Sequence, residues 1–215
     1  MIVNKKTRAV FFDVAGTLIE QKSWSFLAEG LGLLNEYNQL VTSLKNKKIG
    51  QKDLNQKLSV LFTQNKLVNK EELKIILSDF NLKVGARDAI DYLKSKNIAV
   101  FLVSGANQIL VAKVAEVLQV DGWMAATEFV FNTDGQLVDV VRTPNQGQWK
   151  VDQVSKLMLE NGWKKSEVFF VGDGWNDIYV FDYLKRGITF DFGNWNLKRK
   201  AYRVVSGLAE IAKII

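Results

Sequence analysis

The 215-residue sequence contains no cysteine and no histidine. Without cysteine there is no disulfide, no thiolate nucleophile and no thiolate-held metal. Without histidine, Ser-His-Asp catalysis, phosphohistidine chemistry and imidazole metal sites are excluded together. Any metal must be held by oxygen, which favours Mg²⁺, Ca²⁺ or Mn²⁺. Long apolar runs are missing too. The most apolar stretches, "IAVFLV" and "VFFV", are strand-length and far short of a membrane span. The opening segment "MIVNKKTRAVFFDV" carries cations but no apolar run of signal-peptide length. These absences point to a cytoplasmic protein with no membrane partner.

Hydrophobic residues make up 47% of the chain and charged residues 24%. That suffices for a sizeable core in one large domain, or one domain with a modest insert. The thirteen Phe and six Trp are assigned mainly to packing. The net charge of +6 is spread over scattered lysines, which reads as a solvated basic surface and not as a nucleic-acid site.

Short apolar runs alternate with segments of helical period, the pattern of a doubly wound, mainly parallel α/β sheet. Strands are expected at 9–14, 98–103, 167–172 and 188–192, with helices at 86–96, 107–118 and 149–162 and another closing the chain. Gly162 suits the C-cap of the third of these helices. Residues 129–141 alternate and turn at Asp134-Gly135, as in a β-hairpin. Residues 20–84 break the pattern. Their period is helical throughout, and Asn69 with Glu72 resembles a capping box. An all-helical insert over 20–84 therefore divides a core made of 1–19 and 85–215.

The first three strands each deliver polar residues at the carboxyl end, where open α/β sheets place their ligands. The groups are Asp13-Val14-Ala15-Gly16-Thr17, Ser104-Gly105-Ala106 and "GDGWND", Gly172 to Asp177. Lys150 lies between the second and third groups. Asp13 and Asp173 side by side offer oxygen ligands to a hard divalent ion, with Asp177 placed to ligate it through water or to hold Lys150. Ser104 and the amides opening the next helix suit an anionic oxygen. Lys150 adds a point charge. Together these make a phosphoryl site with Asp13 as nucleophile. A nucleotide or redox module fits less well, because neither GxxxxGK[ST] nor GxGxxG follows the first strand.

With these motifs in this order, the sequence resembles the haloacid dehalogenase (HAD) superfamily, and within it the phosphoserine-phosphatase-like branch. "DVAGT", "SGA", Lys150 and "GDGWND" match its four motifs, and "AYRVVSGLAEI" resembles the ending of that branch. The resemblance implies a Mg²⁺-dependent phosphatase acting on a small phosphomonoester, with the helical insert as a cap. Asp13 would become an aspartyl phosphate. Asp13, Asp173 and the main-chain carbonyl of Ala15 would hold Mg²⁺, with Asp177 beside them orienting Lys150. Ser104 and Lys150 would bind the transferring group, bordered by Gly16, Thr17, Gly105 and Asn176. Trp175 would wall the pocket. Glu20 stands at a different offset from Asp13 than the acidic residue that meets a substrate amine in phosphoserine phosphatases.

Ala15 departs from the family pattern. A second aspartate usually stands there, to protonate the leaving alcohol and then activate water, and a methyl group does neither. Four explanations fit: an introduced change, a donor whose leaving group needs no proton, a homologue that binds without turnover, or a carbon–phosphorus hydrolase. The last resembles phosphonoacetaldehyde hydrolase, which also has Ala here and uses a cap lysine as a Schiff base. Lys45, Lys47, Lys48, Lys52 and Lys57 are the candidates for that lysine.

Overall fold

A computed structural model describes residues 6–64 and 68–215. The few positions of the assigned core and insert at 1–5 and 65–67 lie outside the described residues. In chain order the strands are β1 (Ala9–Phe12), β2 (Ala99–Asn107), β3 (Gly122–Phe131), β4 (Leu137–Arg142), β5 (Val168–Val171), β6 (Gly187–Phe190) and β7 (Arg203–Val205). The helices are α1 (Ser23–Gly30), α2 (Leu34–Lys45), α3 (Gln51–Thr63), α4 (Lys70–Ser78), α5 (Ala86–Ser95) and α6 (Gln108–Leu118). They continue with α7 (Gln146–Glu160), α8 (Ile178–Leu184), α9 (Trp195–Lys200) and α10 (Ile211–Ile214).

The strands form a single seven-stranded sheet in the order β4-β3-β2-β1-β5-β6-β7. All neighbours are parallel except β3 and β4. The central strand β1 is "AVFF", buried at all four positions. A strand covered on both faces can be apolar throughout. Its side chains alternate between two cores: Val10 and Phe12 join the layer with α5 and α6, Ala9 and Phe11 the layer with α7 and α8. The chain leaves β1 toward β2 on one side, and β5 lies on the other. Ligands of doubly wound sheets bind at this kind of switch point.

Several boundaries differ from the sequence expectation. β2 extends through Ser104 to Asn107, because β3 pairs with it to Thr127 across an irregular register. The first arm of the expected hairpin is the end of this longer β3, whose "GWMAAT" portion is a parallel strand of the main sheet. The hairpin turn holds: Gly135 has φ 77°, and the Asn132 Oδ1 accepts from the amides of Asp134 and Gln136. α7 begins at Gln146, with Asn145 as N-cap, so Lys150 stands in its second turn. Gly162 adopts φ 66° just beyond the end of α7. The assignment of aromatics to packing fails for Trp123, Trp195 and Phe192, which are exposed.

Helices α1 to α4 lie between β1 and α5. The Asn69 side chain accepts from the Glu72 amide at 2.9 Å and starts α4, which buries Leu73 and Leu77. α3 buries Leu54, Leu58 and Phe62. These side chains share one apolar cluster with Phe129, Leu137 and Val140 of the β3–β4 hairpin. The backbone joins in as well: Lys70 donates to the Gly135 carbonyl and Leu137 to that of Val68. The helical segment is thus seated on the hairpin that overhangs the strand ends. No described helix is long and apolar enough to cross a membrane.

Candidate active site

The Asp13 amide donates to the Val171 carbonyl at 2.9 Å, which ties the loop after β1 to the end of β5. The next turn closes on itself, with the amides of Thr17 and Leu18 donating to Val14. Gly16 adopts φ 83° there, and a Cβ on it would collide with Lys22 Nζ and the Asp173 carboxylate. Glycine serves this position for both reasons. At the end of β5, Gly172 lies so close to the Asp177 carboxylate that a side chain would not fit.

Asp13, Asp173 and Asp177 present carboxylate oxygens within 4.8 Å of one another. Lys150 is wholly buried among them, 2.6 Å from Asp177 Oδ1 and 3.2 Å from Asp13 Oδ1. The Gly174 amide donates to Asp177 Oδ2 at 2.8 Å. Thr17 Oγ1 donates to Asp173 Oδ1 at 2.9 Å and Lys22 Nζ to Asp173 Oδ2 at 2.6 Å. Lys83 Nζ donates to the Gly16 carbonyl at 2.5 Å and lies 4.2 Å from the centre of the Phe192 ring.

Burial acts against the charges of Asp177, Lys150 and Lys83. It pushes the Asp177 carboxyl up to about 7, against the pull of Lys150 and the Gly174 amide. Burial also opposes the Lys150 ammonium, but Asp13 and Asp177 together outweigh it and raise the lysine above its ordinary value. The two shifts pull the proton in opposite directions. The 2.6 Å contact decides between them, because a charge-assisted bond of that length favours ammonium facing carboxylate. Lys83 is lowered, mainly by burial.

Do these residues fit a hard cation? Three carboxylates crowded into 4.8 Å repel one another, and Lys150 and Lys22 are the cations touching them. Asp13 Oδ1 is buried and accepts no well-directed hydrogen bond from any described residue. An all-oxygen set with a spare buried carboxylate oxygen suits Mg²⁺. Asp177 is committed to buried Lys150 and the Gly174 amide. Asp173 is instead held by Thr17 and by the exposed Lys22, a side chain that can swing away. Asp13 and Asp173 are therefore the carboxylates better placed to turn toward a metal.

A cavity of about 250 Å³ opens over these groups, and Asp13, Ala15, Ser104, Gly105, Asp173 and Asn176 all line it. Ser104 is buried, and its hydroxyl accepts from the Ala106 amide at 3.2 Å. Trp175 lines the cavity as expected, 62% exposed. Gly16 and Thr17 do not line it; Thr17 is buried behind it, aiming Asp173. Glu20 lines a separate cleft with Lys83 and Phe192. None of Lys45, Lys47, Lys48, Lys52 and Lys57 lines the cavity. Larger open clefts, about 670 and 800 Å³, lie along α2–α3 and α1–α4, away from the strand ends.

Sequence reasoning missed Lys22, Ser23, Trp24, Tyr37, Arg142 and Gln146, which also line the cavity. Lys22 had a faint signal, standing just past the Asp13 turn. Tyr37 and Arg142 had none, since α2 and β4 reach the cavity only through tertiary packing.

The comparisons agree with this geometry. The haloacid dehalogenase-like hydrolase family matches residues 10–182. The phosphoserine phosphatase of Lactococcus lactis subsp. lactis is 30% identical over 185 residues, covering 83% of this chain and 81% of the relative. That of Methanocaldococcus jannaschii is 27% identical over 192 residues, covering 88% and 87%. Among solved structures, a substrate-bound phosphoserine phosphatase complex superposes with a TM-score of 0.81 at 26% identity, over 98% of this chain and 99% of the other. A phospho-aspartyl intermediate analogue of phosphoserine phosphatase gives 0.80 at 26% identity, over 98% and 100%. With its site at the switch point of a doubly wound sheet, the chain belongs to the haloacid dehalogenase-like hydrolases, in the branch that resembles phosphoserine phosphatase.

Proposed function

We propose that the chain is a Mg²⁺-dependent phosphatase of small phosphomonoesters, working in the cytoplasm through an aspartyl phosphate on Asp13. The observation that carries this is the meeting of Asp13, Ser104, Lys150 and Asp173 at the ends of three neighbouring strands. The Asp13 carboxylate attacks phosphorus, and the bond to the leaving oxygen breaks. Lys150, fixed by Asp177, balances the charge of the transferring group. Ser104 and the Gly105 backbone hold its oxygens, with Asn176 at the edge. Asp13, Asp173 and the Ala15 carbonyl would hold Mg²⁺, which would draw charge from the phosphoryl oxygens when bound. Helices α1 to α4 act as the cap that limits what enters and excludes water.

Ala15 lines the cavity without an acid, so the leaving oxygen departs unprotonated and water attacks the aspartyl phosphate without a base. General acid–base help is worth about 10²–10⁴-fold. Ala15→Asp is therefore expected to raise Mg²⁺-dependent turnover of alkyl phosphates by that order. An aryl phosphate, whose leaving group needs a proton less, should gain least. A variant that gains nothing on any ester would count against the phosphatase reading.

A further inference from the structure

The cavity has two sides, and their chemistry differs. One side is the strand-end group that the proposed reaction uses. The other side, where a leaving group would lie, is formed by Trp24, Tyr37 and Arg142 from α1, α2 and β4. Lys22 also lines the cavity but reaches Asp173 on the first side. Asp13 and Asp173 are the only carboxylates lining the cavity among the described residues, and both belong to the first side. The second side is cationic and aromatic.

Arg142 is the unusual member. Its guanidinium lies over the Trp24 ring, 4.9 Å from the centre, and one terminal nitrogen donates to Asn55 Oδ1 of α3. No described acid forms an ion pair with it, and its Nε is buried without a hydrogen-bond partner. An unpaired cation half-withdrawn from water is costly, and Arg presents a flat fork that matches a carboxylate. No described residue supplies a carboxylate for it, whereas a bound ligand can.

Resting on the phosphatase reading, we infer that the substrate is a phosphomonoester whose alcohol part carries a carboxylate and no amine, with Arg142 as the residue that recognises the carboxylate. A phosphorylated hydroxycarboxylic acid has this chemistry. Lys22 is already held by Asp173 at 2.6 Å, so Arg142 is the unpaired cation there. Beyond Asp13 and Asp173, no described acid lines the cavity to receive a substrate ammonium. Glu20, the acidic residue nearest in sequence, lines a different cleft. An amino acid phosphate is thereby disfavoured.

The test uses unreactive phosphonates of similar size, titrated calorimetrically into the full chain with Mg²⁺. Propylphosphonate has no second group, 3-phosphonopropionate adds a carboxylate, and 2-amino-3-phosphonopropionate adds carboxylate and amine. The carboxylate is expected to tighten binding on the order of ten- to a hundred-fold over propylphosphonate, and the amine to weaken it again by about ten-fold. Arg142→Gln should lose the carboxylate gain, with its circular dichroism spectrum checking the fold. The comparison of ligands on the unmodified chain decides the matter even if that variant does not fold. If propylphosphonate binds and the carboxylate adds nothing, or the amino compound binds best, the inference fails and the phosphoryl site stands. If neither the phosphonates nor inorganic phosphate binds, the phosphatase reading falls and takes the inference with it.

Discussion

The strand-end pole and the helical segment solve opposite problems. At the strand ends, Thr17, Ser104, Lys150 and Asp177 are 1% exposed or less, and cohesion there comes from directed hydrogen bonds among polar and charged groups. In the helical segment, cohesion comes from Leu27, Leu58, Phe62, Leu73 and Leu77, and α2 buries no residue fully. A polar cluster taken out of water is tolerable only when every member has a partner, which fixes its geometry tightly. An apolar cluster accepts repacking at lower cost. The pole is therefore suited to conserving one chemistry, and the segment to changing what that chemistry acts upon.

The sharpest test of the contrast is Asp13→Asn. Losing the nucleophile should reduce turnover by roughly 10⁴-fold or more, and denaturant unfolding should show a far smaller proportional change in stability. A residual rate near that of the unmodified chain would remove Asp13 from the chemistry. Next comes Lys150→Met, which strands the buried carboxylates of Asp13 and Asp177. It should cost about 3–5 kcal/mol of folding stability along with most activity. The Lys150 contribution also has a pH window. Its folded pKa lies above the ordinary 10.5, so its stabilisation is complete below pH 10.5 and fades as pH rises through the folded value. The stability gap between the unmodified chain and Lys150→Met should narrow on that alkaline side, and also in acid as the stranded carboxylates take up protons.

In the helical segment, Phe62→Ala removes a fully buried ring stacked on Trp24 with centroids 5.6 Å apart. A loss of about 3–5 kcal/mol is expected, while kcat of the folded fraction stays within a few-fold and KM rises. A kcat collapse there would blur the division between pole and segment. Smallest of all, Ile75→Ala on the outer face of α4, where Ile75 is 75% exposed, should change stability by no more than about 0.5 kcal/mol.

Much of the fold was legible. A strand buried on both faces must be apolar along its length, and "AVFF" and "VFFV" could be little else. The parallel part of β3 was not legible, because its short apolar run "WMAA" has no β-branched residue and ends in alanines, which favour strands little. α8 was missed because "IYVFDYL" is seven residues long, too short to display a helical period. The helical faces of the insert were readable, but not their seating on the hairpin, which depends on contacts such as Lys70 to Gly135.

The same division holds for the site. The sequence by itself determined which residues are candidates for the chemistry: Asp13, Ser104 and Asp173 follow apolar runs, with Lys150 between the last two, and a parallel sheet must bring the carboxyl ends of neighbouring strands together. The sequence also determined, by having no histidine or cysteine, that a resident metal would meet oxygen. Only the tertiary structure decided that Thr17 serves Asp173, that Lys150 is sealed from water, and that Lys22 and Arg142 reach the cavity. Burial and approach between segments 27 to 156 residues apart are properties of packing. They depend on where a helix or hairpin comes to rest, and no local pattern of residues encodes that.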